Sequence, residues 1–222
     1  MRLSDVMEDY LKAIYHLQEG RDDRIRTTDI AEELDVTSPS VTSMLDKLEE
    51  EGLIDREKYH GVRLTEKGET VALEVIRHHR LLETFLTEHL DYSWSEVHEE
   101  ADRLEHHISE EFIERVAATL GHPEIDPHGD PIPSVDLEAP DDREVTSISE
   151  HDVDDVVVVE RVSDRDPEVL EYLADHGVEP GTEVTIDEIA PFGMITITPH
   201  STGVSISLPT DVARYVWVRE IP

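Results

Sequence analysis

The sequence predicts a chain that is mainly α over its first two-thirds and ends in a small all-β domain. Three observations carry this: apolar residues recur at helical period as far as Leu120, prolines crowd the next thirty or so residues, and short β-rich runs take over after residue 150. Residues 4–19 set Val6, Tyr10, Leu11, Ile14, Tyr15 and Leu17 at helical period, and Gly20 stops the run. A short helix is predicted over 27–34, with Ile30, Ala31 and Leu34 inward. Asp35-Val36-Thr37 then leads into a second helix over 38–51. Pro39 suits its first turn, Val41, Met44, Leu45 and Leu48 form its inner face, and Gly52 ends it. LIDREKYHGVRLT reads as two short strands around Tyr59-His60-Gly61. Helix, turn, helix and β-hairpin, in that order, make a winged helix-turn-helix over residues 1–65.

A long helical pattern follows from Thr65 to about Leu90. Ser93-Trp94-Ser95-Glu96 has the spacing of a capping box and should start a helix carrying His98 to His106. Ser109 begins a further helical stretch to Leu120, with Gly121 as its stop. Long amphipathic helices beside a reading head suit self-association, so 66–121 is expected to be a helical dimerisation domain. Pro123, Pro127, Pro131, Pro133 and Pro140 mark 122–150 as an extended linker. Strand patterns then fill 151–222: VVVVERV at 156–162, TEVTIDEI at 182–189, MITIT at 194–198, VSISL at 204–208 and YVWVREI at 215–221. A short helix at about 167–175 and a Pro180-Gly181 turn interrupt them. Five short strands in so few residues predict a small barrel.

Composition bounds the chemistry. The chain has no cysteine, which excludes disulfides, thiolate metal sites and cysteine catalysis. No run approaches the ~20 apolar residues that span a bilayer, and the acidic, amphipathic start does not resemble a signal peptide, so a soluble cytoplasmic protein is expected. The formal net charge is −35. Residues 1–75 carry 10 Lys+Arg against 19 Asp+Glu, and the remainder carries 9 against 35. By charge alone such a protein should repel DNA. However, 15 Arg against 4 Lys, with acids coating every segment, resembles the proteins of extreme halophiles. At ~1 M salt the screening length is only about 3 Å, and net charge then says little about partners.

Two constellations stand out. In TSPSVTSMLDKLEEEG the outward positions are Thr37, Ser38, Pro39, Ser40, Thr42, Ser43 and Lys47. Small hydroxyl residues at a helix start can contact phosphates and base edges while the backbone approaches closely. Arg26, Lys47, Arg56, Lys58 and Arg63 cluster around this helix and its hairpin, which favours DNA binding over a winged helix used for protein contacts alone. The second constellation is His98, Asp102, Glu105 and His106, near His79 and Glu83 at helical spacing. Steps of three or four residues return to one helix face, and imidazoles with carboxylates on one face can converge on a divalent ion. His78, His89 and His107 read as solvated helix residues. His98-Glu99 starts like a zincin motif, but position 102 is Asp, so the His-Glu-x-x-His pair is absent. With no glycine-rich phosphate loop and no Ser/His/Asp order either, no enzymatic activity is expected.

These residues resemble the DtxR/MntR family of metal-dependent transcriptional repressors. The resemblance runs through MEDYLKAIYHL, SPSVTSMLDKLEEEGLI, HRLLE at 79–83, VHEEADRLEHHIS at 97–109 and HGDPIP at 128–133, and ends in a region similar to the SH3-like barrel of FeoA-type domains. It implies a homodimer on a palindromic operator and two metal sites per subunit. A regulatory site would use Asp9, Asp102, Glu105 and His106, and an ancillary site His79, Glu83 and His98. The iron-sensing branch has Met and Cys at the positions of Asp9 and Asp102, whereas carboxylates there are similar to the manganese-sensing branch. That branch has a glutamate where this chain has Lys12, a departure from its two-metal cluster. Of the two barrel positions that add ligands in the iron branch, one falls near Asp166 and the other on Val169. Mn(II) is the expected effector, with Fe(II) second. The competing reading is a metal-independent winged-helix dimer that senses a small molecule.

Overall fold

The computed structural model describes residues 3–19, 21, 23–57, 59–137, 145–164 and 166–221. Lys58, Gly20 and Pro140 lie outside the described residues. The chain divides into two compact units: Met1–His79 with Glu105–Ile108 and Pro133–Ala139, and Arg80–Leu104 with Ser109–Ile132 and Pro140–Pro222.

The first unit contains α1 (Asp5–Gln18), α2 (Thr27–Glu33), α3 (Ser38–Glu50), β1 (Ile54–Glu57), β2 (Gly61–Leu64) and the start of α4 (Glu66–Leu90). The apolar faces read from the sequence meet in one core: Leu11, Ile14, Ile30, Val41, Leu45, Leu48 and Leu53 are fully buried. Each such side chain contributes roughly 1.5–3 kcal/mol. Asp35, at φ 48°, makes the tight turn between α2 and α3. β1 and β2 pair antiparallel from Ile54↔Leu64 to Glu57↔Gly61, and Ile25 bridges Val62, so the wing is anchored to the chain just ahead of α2. This is the winged helix-turn-helix expected.

The second unit holds the rest of α4, then α5 (Val97–Leu104), α6 (Glu110–Thr119), α7 (Pro167–Asp175), α8 (Thr210–Ala213) and a six-stranded antiparallel sheet. Ser93 Oγ donates to Glu96 Oε2 (2.5 Å) and Ser93 O accepts from Val97 N, so a helix does start here, through a side-chain pair in place of the reciprocal backbone bonds of a capping box. The sheet strands are β3 (Thr146–Ser147), β4 (Val156–Val162), β5 (Glu183–Ala190), β6 (Met194–Pro199), β7 (Ile206–Pro209) and β8 (Val216–Glu220), in the order β3-β8-β4-β5-β6-β7. The five runs read from the sequence are all present, and β3 is added. The small barrel expected is, among the described residues, a sheet that does not close: β3 and β7 are its edges. β3 is two residues long and β7 ends at Pro209, which has no N–H for a further ladder. Register shifts at Val159/Arg161 and Ile186/Glu188 bend the sheet over a core of Val157, Val159, Leu170, Val184, Ile197 and Val218.

Two stretches differ from the periodic reading. α5 ends at Leu104, so Glu105, His106 and His107 form a turn. On a helix, neighbours diverge by ~100°, whereas this turn lets Glu105 and His106 converge. The described part of the Pro-rich segment is not extended. Asp126 Oδ1 accepts from His128 N and Asp130 N (both 2.9 Å), and Ile125 bridges Pro131. Proline content alone does not separate a spacer from such a knot. Gly129 sits at φ +89° with Glu160 O only 1.9 Å from where a Cβ would lie. Gly129→Ala should therefore displace the turn that carries His128 and lower stability by about 2 kcal/mol or more. An unchanged denaturation midpoint would contradict this packing.

Among the described residues, no helix is long and apolar enough to cross a membrane.

Candidate metal centres and reading face

The first centre lies in the first unit. Asp9 on α1 and Glu105 and His106 in the 105–107 turn present ligand atoms within 4.8 Å of one another. His106 is nearly enclosed, its Nε2 2.8 Å from Asp9 Oδ1 and 3.3 Å from Glu105 Oε1, its Nδ1 2.7 Å from Glu8 Oε2. The hydrogen bond to Asp9, with the Glu105 charge and the bond to Glu8, outweighs burial and pushes His106 up to about 9. Metal-free, this imidazole is a cation held among carboxylates. His79, also buried, lies with Nδ1 2.6 Å from Glu105 Oε2. Lys12 Nζ reaches the same carboxylate at 3.0 and 3.1 Å. Glu8 and Lys12 are contacts that the spacing argument did not supply.

The raised His106 has a consequence for metal uptake. An imidazole ligand must lose its proton, so ion binding near neutral pH should release about one proton at this centre. Metal affinity should climb until pH passes about 9. The sign for stability is opposite. A folded pKa above the ordinary 6.5 stabilises the metal-free protein below 6.5, and that share is lost as pH rises through about 9. Calorimetry in buffers of different ionisation enthalpy measures the release, and zero protons would contradict the assignment of His106.

The second centre lies in the second unit. Glu83 is fully buried on α4, and Oε1 lies 3.2 Å from His98 Nδ1. His98 Nδ1 is also 3.1 Å from Asp164 Oδ2, and Nε2 is 3.5 Å from Asp102 Oδ2. His128 shares Glu83 with these residues and clusters with Asp126: its Nδ1 faces Glu83 Oε2 at 3.7 Å while Nε2–H donates to Trp94 O at 2.9 Å. That outer bond fixes the ring with its Nδ1 toward the carboxylate, as for a metal-ligating histidine. Burial works against charge on His128, yet Glu83, Asp126 and Asp164 push it up to about 9. Burial likewise raises Asp164, but the His98 hydrogen bond and charge hold it well below the usual carboxylate range. Asp126 is pushed up by burial, with Asp130 and Glu83 adding to the effect.

The predicted residues therefore distribute as follows. Asp9, Glu105 and His106 are brought together, with His79 on the far side of Glu105. Glu83 and His98 are brought together in the second unit, where Asp102 borders His98 with its side chain about half exposed. Asp164 and His128 carry no signal in helical spacing. Asp166 caps α7, accepting from Glu168 N and Val169 N, which leaves Asp164 as the carboxylate beside His98. The donor sets fit a divalent ion of intermediate hardness, being carboxylate oxygens with imidazole and no thiolate.

The reading face is as the helix period requires. Arg26, Thr37, Ser38, Pro39, Ser40, Thr42, Ser43 and Lys47 are all exposed. Thr37 and Ser40 hydroxyls lie 2.9 Å apart, and Thr42 Oγ1 donates to Ser38 O, so this hydroxyl-rich turn is pre-ordered. Of the cations grouped with it, Arg56 is tied to Asp46 at 2.5 Å.

Domain models match along the chain: the iron dependent repressor N-terminal DNA binding domain over residues 2–62, the iron dependent repressor metal binding and dimerisation domain over 65–134, and a FeoA domain over 146–220. The iron-dependent repressor IdeR of Mycobacterium tuberculosis is 33% identical over 230 residues, covering 99% of both chains. The diphtheria toxin repressor of Corynebacterium glutamicum is 33% identical over 228 residues, covering 99% of this chain and 98% of that one. Among solved structures, a manganese-dependent transcriptional repressor in complex with manganese aligns with a TM-score of 0.89 at 37% identity, over 97% of this chain and 100% of that one. The manganese regulator SloR aligns at 0.79 and 36% identity, over 97% and 98%. Sharing about a third of its residues with these repressors along nearly its whole length, the chain belongs to the DtxR/MntR family of iron- and manganese-dependent repressors.

Proposed function

We propose that this chain is a transcriptional repressor of metal-homeostasis genes whose operator binding is switched on by Mn(II), with Fe(II) as the second choice. The carrying observation is His106, set between Asp9 of α1 and Glu105 of the 105–107 turn. Asp9, Glu105 and His106 would hold the regulatory ion. Glu83, His98, Asp164 and His128 would hold a second ion, giving two per subunit. A divalent ion supplies positive charge and a crosslink. The residues do the rest. Asp9 neighbours Tyr10 and Leu11, which are buried in the core of the reading head, so fixing Asp9 against the turn fixes α1 beneath α2. With no ion, Asp9, Glu8 and Glu105 depend on protonated His106 and on Lys12 for compensation.

A two-fold dimer would set two copies of α3 into successive major grooves of a palindromic site. Arg26 and Lys47 would meet phosphates, and Thr37, Ser38, Pro39, Ser40, Thr42 and Ser43 the groove. The acidic surface calls for assays at ~1 M salt, where repulsion is screened within about 3 Å. The test is selection of duplexes from a random library by the full-length chain, with Mn(II) or with chelator. A palindrome enriched only with Mn(II) supports the reading. Equal retention in chelator rejects it in favour of a metal-independent winged helix.

A further inference from the structure

Glu105 serves two neighbouring cation positions. On one side Oε1 faces His106 Nε2 at 3.3 Å, next to Asp9. On the other, Oε2 faces His79 Nδ1 at 2.6 Å. The second position is filled. Lys12 Nζ lies 3.1 and 3.0 Å from Oε1 and Oε2 of Glu105 and 3.1 Å from His79 Nδ1. Lys12 follows Asp9 by three residues on α1, so both project from one helix face onto the same carboxylate. An ammonium offers three donors and no lone pair, so Lys12 competes with a metal ion and cannot ligate one. Its side chain is 17% exposed and that of Glu105 1%, so water and salt screen the pair weakly.

We propose that Lys12 is a built-in cation occupying the second position of this centre. It limits the centre to one divalent ion, and its charge, 3 Å from a shared ligand, raises the metal concentration needed to fill the first position. This rests on the metal-activated reading above. A purely structural lysine, pinning α1 to the turn, would behave differently: neutralising it would loosen the fold and leave the metal bound equally or more weakly.

The test uses the full chain carrying His98→Ala and His128→Ala, so that only this centre loads, titrated with Mn(II) and read by calorimetry, metal analysis and electron paramagnetic resonance. The expected parent result is one ion with an uncoupled spectrum. Lys12→Gln should bind at least tenfold more tightly, Lys12→Arg should match the parent, and Lys12→Glu should take a second ion with the spectrum of an exchange-coupled pair. Unchanged or weaker binding by Lys12→Gln, or no added ion in Lys12→Glu, overturns the proposal. So does a coupled pair in the parent, whatever the variants do. A parent that binds no Mn(II) overturns the metal-activated reading as well, whereas one ion and indifferent Lys12 variants overturn only the role of Lys12.

Discussion

Glu105→Gln should leave the reading head folded and erase the response of DNA binding to Mn(II). Glu105 is the hub of the first centre, touching Lys12, His79 and His106. The amide keeps its shape and one acceptor for Lys12, so the fold loses little. What it loses is the charge that an ion needs in a nearly solvent-free position. With one of three donors made neutral, Mn(II) affinity should fall by about 100-fold, at the upper end of what even outer partners of a metal ligand cost. The coupling of ~1–3 kcal/mol typical between two linked sites should vanish with it. Thermal melting checks the fold, and DNA retention with and without Mn(II) checks the coupling. A variant that still responds normally would remove Glu105 from the centre.

Ser40→Glu combined with Ser43→Glu should abolish operator binding while leaving metal uptake intact. Both positions are exposed and three residues apart, hence on one face of α3. Two carboxylates there would face the phosphates and base edges, and the loss should be about 100-fold even at ~1 M salt, where charges in direct contact escape screening. The fold should suffer little, since both positions are exposed and negative charge at Ser40, in the first turn of α3, is favourable by about 0.3–1 kcal/mol. Loss of DNA binding with normal melting would therefore report on contact alone. Full binding by this variant would move the DNA to another face.

Period and punctuation made most of the fold legible. α3, β4 and α7 lie within a residue of where the apolar steps and Pro39, Gly52 and Pro167 put them. What failed was non-local. Whether β3 and β7 meet depends on strand ends that carry no pattern of their own. The knot at 124–132 depends on Asp126 bonding two backbone N–H groups, a contact invisible to composition. The same division holds for the centres. Helical spacing groups His98, Asp102, Glu105 and His106, and the family resemblance supplies Asp9. Spacing within an element cannot bring Asp164 or His128 to Glu83, because each comes from a different loop. The resemblance points to Asp166 in the C-terminal region, but an Asp immediately before Pro167 has a local use as a helix cap, and the structure shows that use.

The central step is one ion linking α1 to the 105–107 turn in a way that DNA senses. Reciprocity tests this most directly, since whatever factor Mn(II) adds to operator affinity, the operator must add to Mn(II) affinity. Titrating Mn(II) into the full chain, with and without a selected duplex at ~1 M salt, measures that factor from the metal side. The prediction is a tightening of about 5–150-fold that equals the factor measured from the DNA side and disappears in Glu105→Gln. A Mn(II) affinity indifferent to bound operator would contradict it.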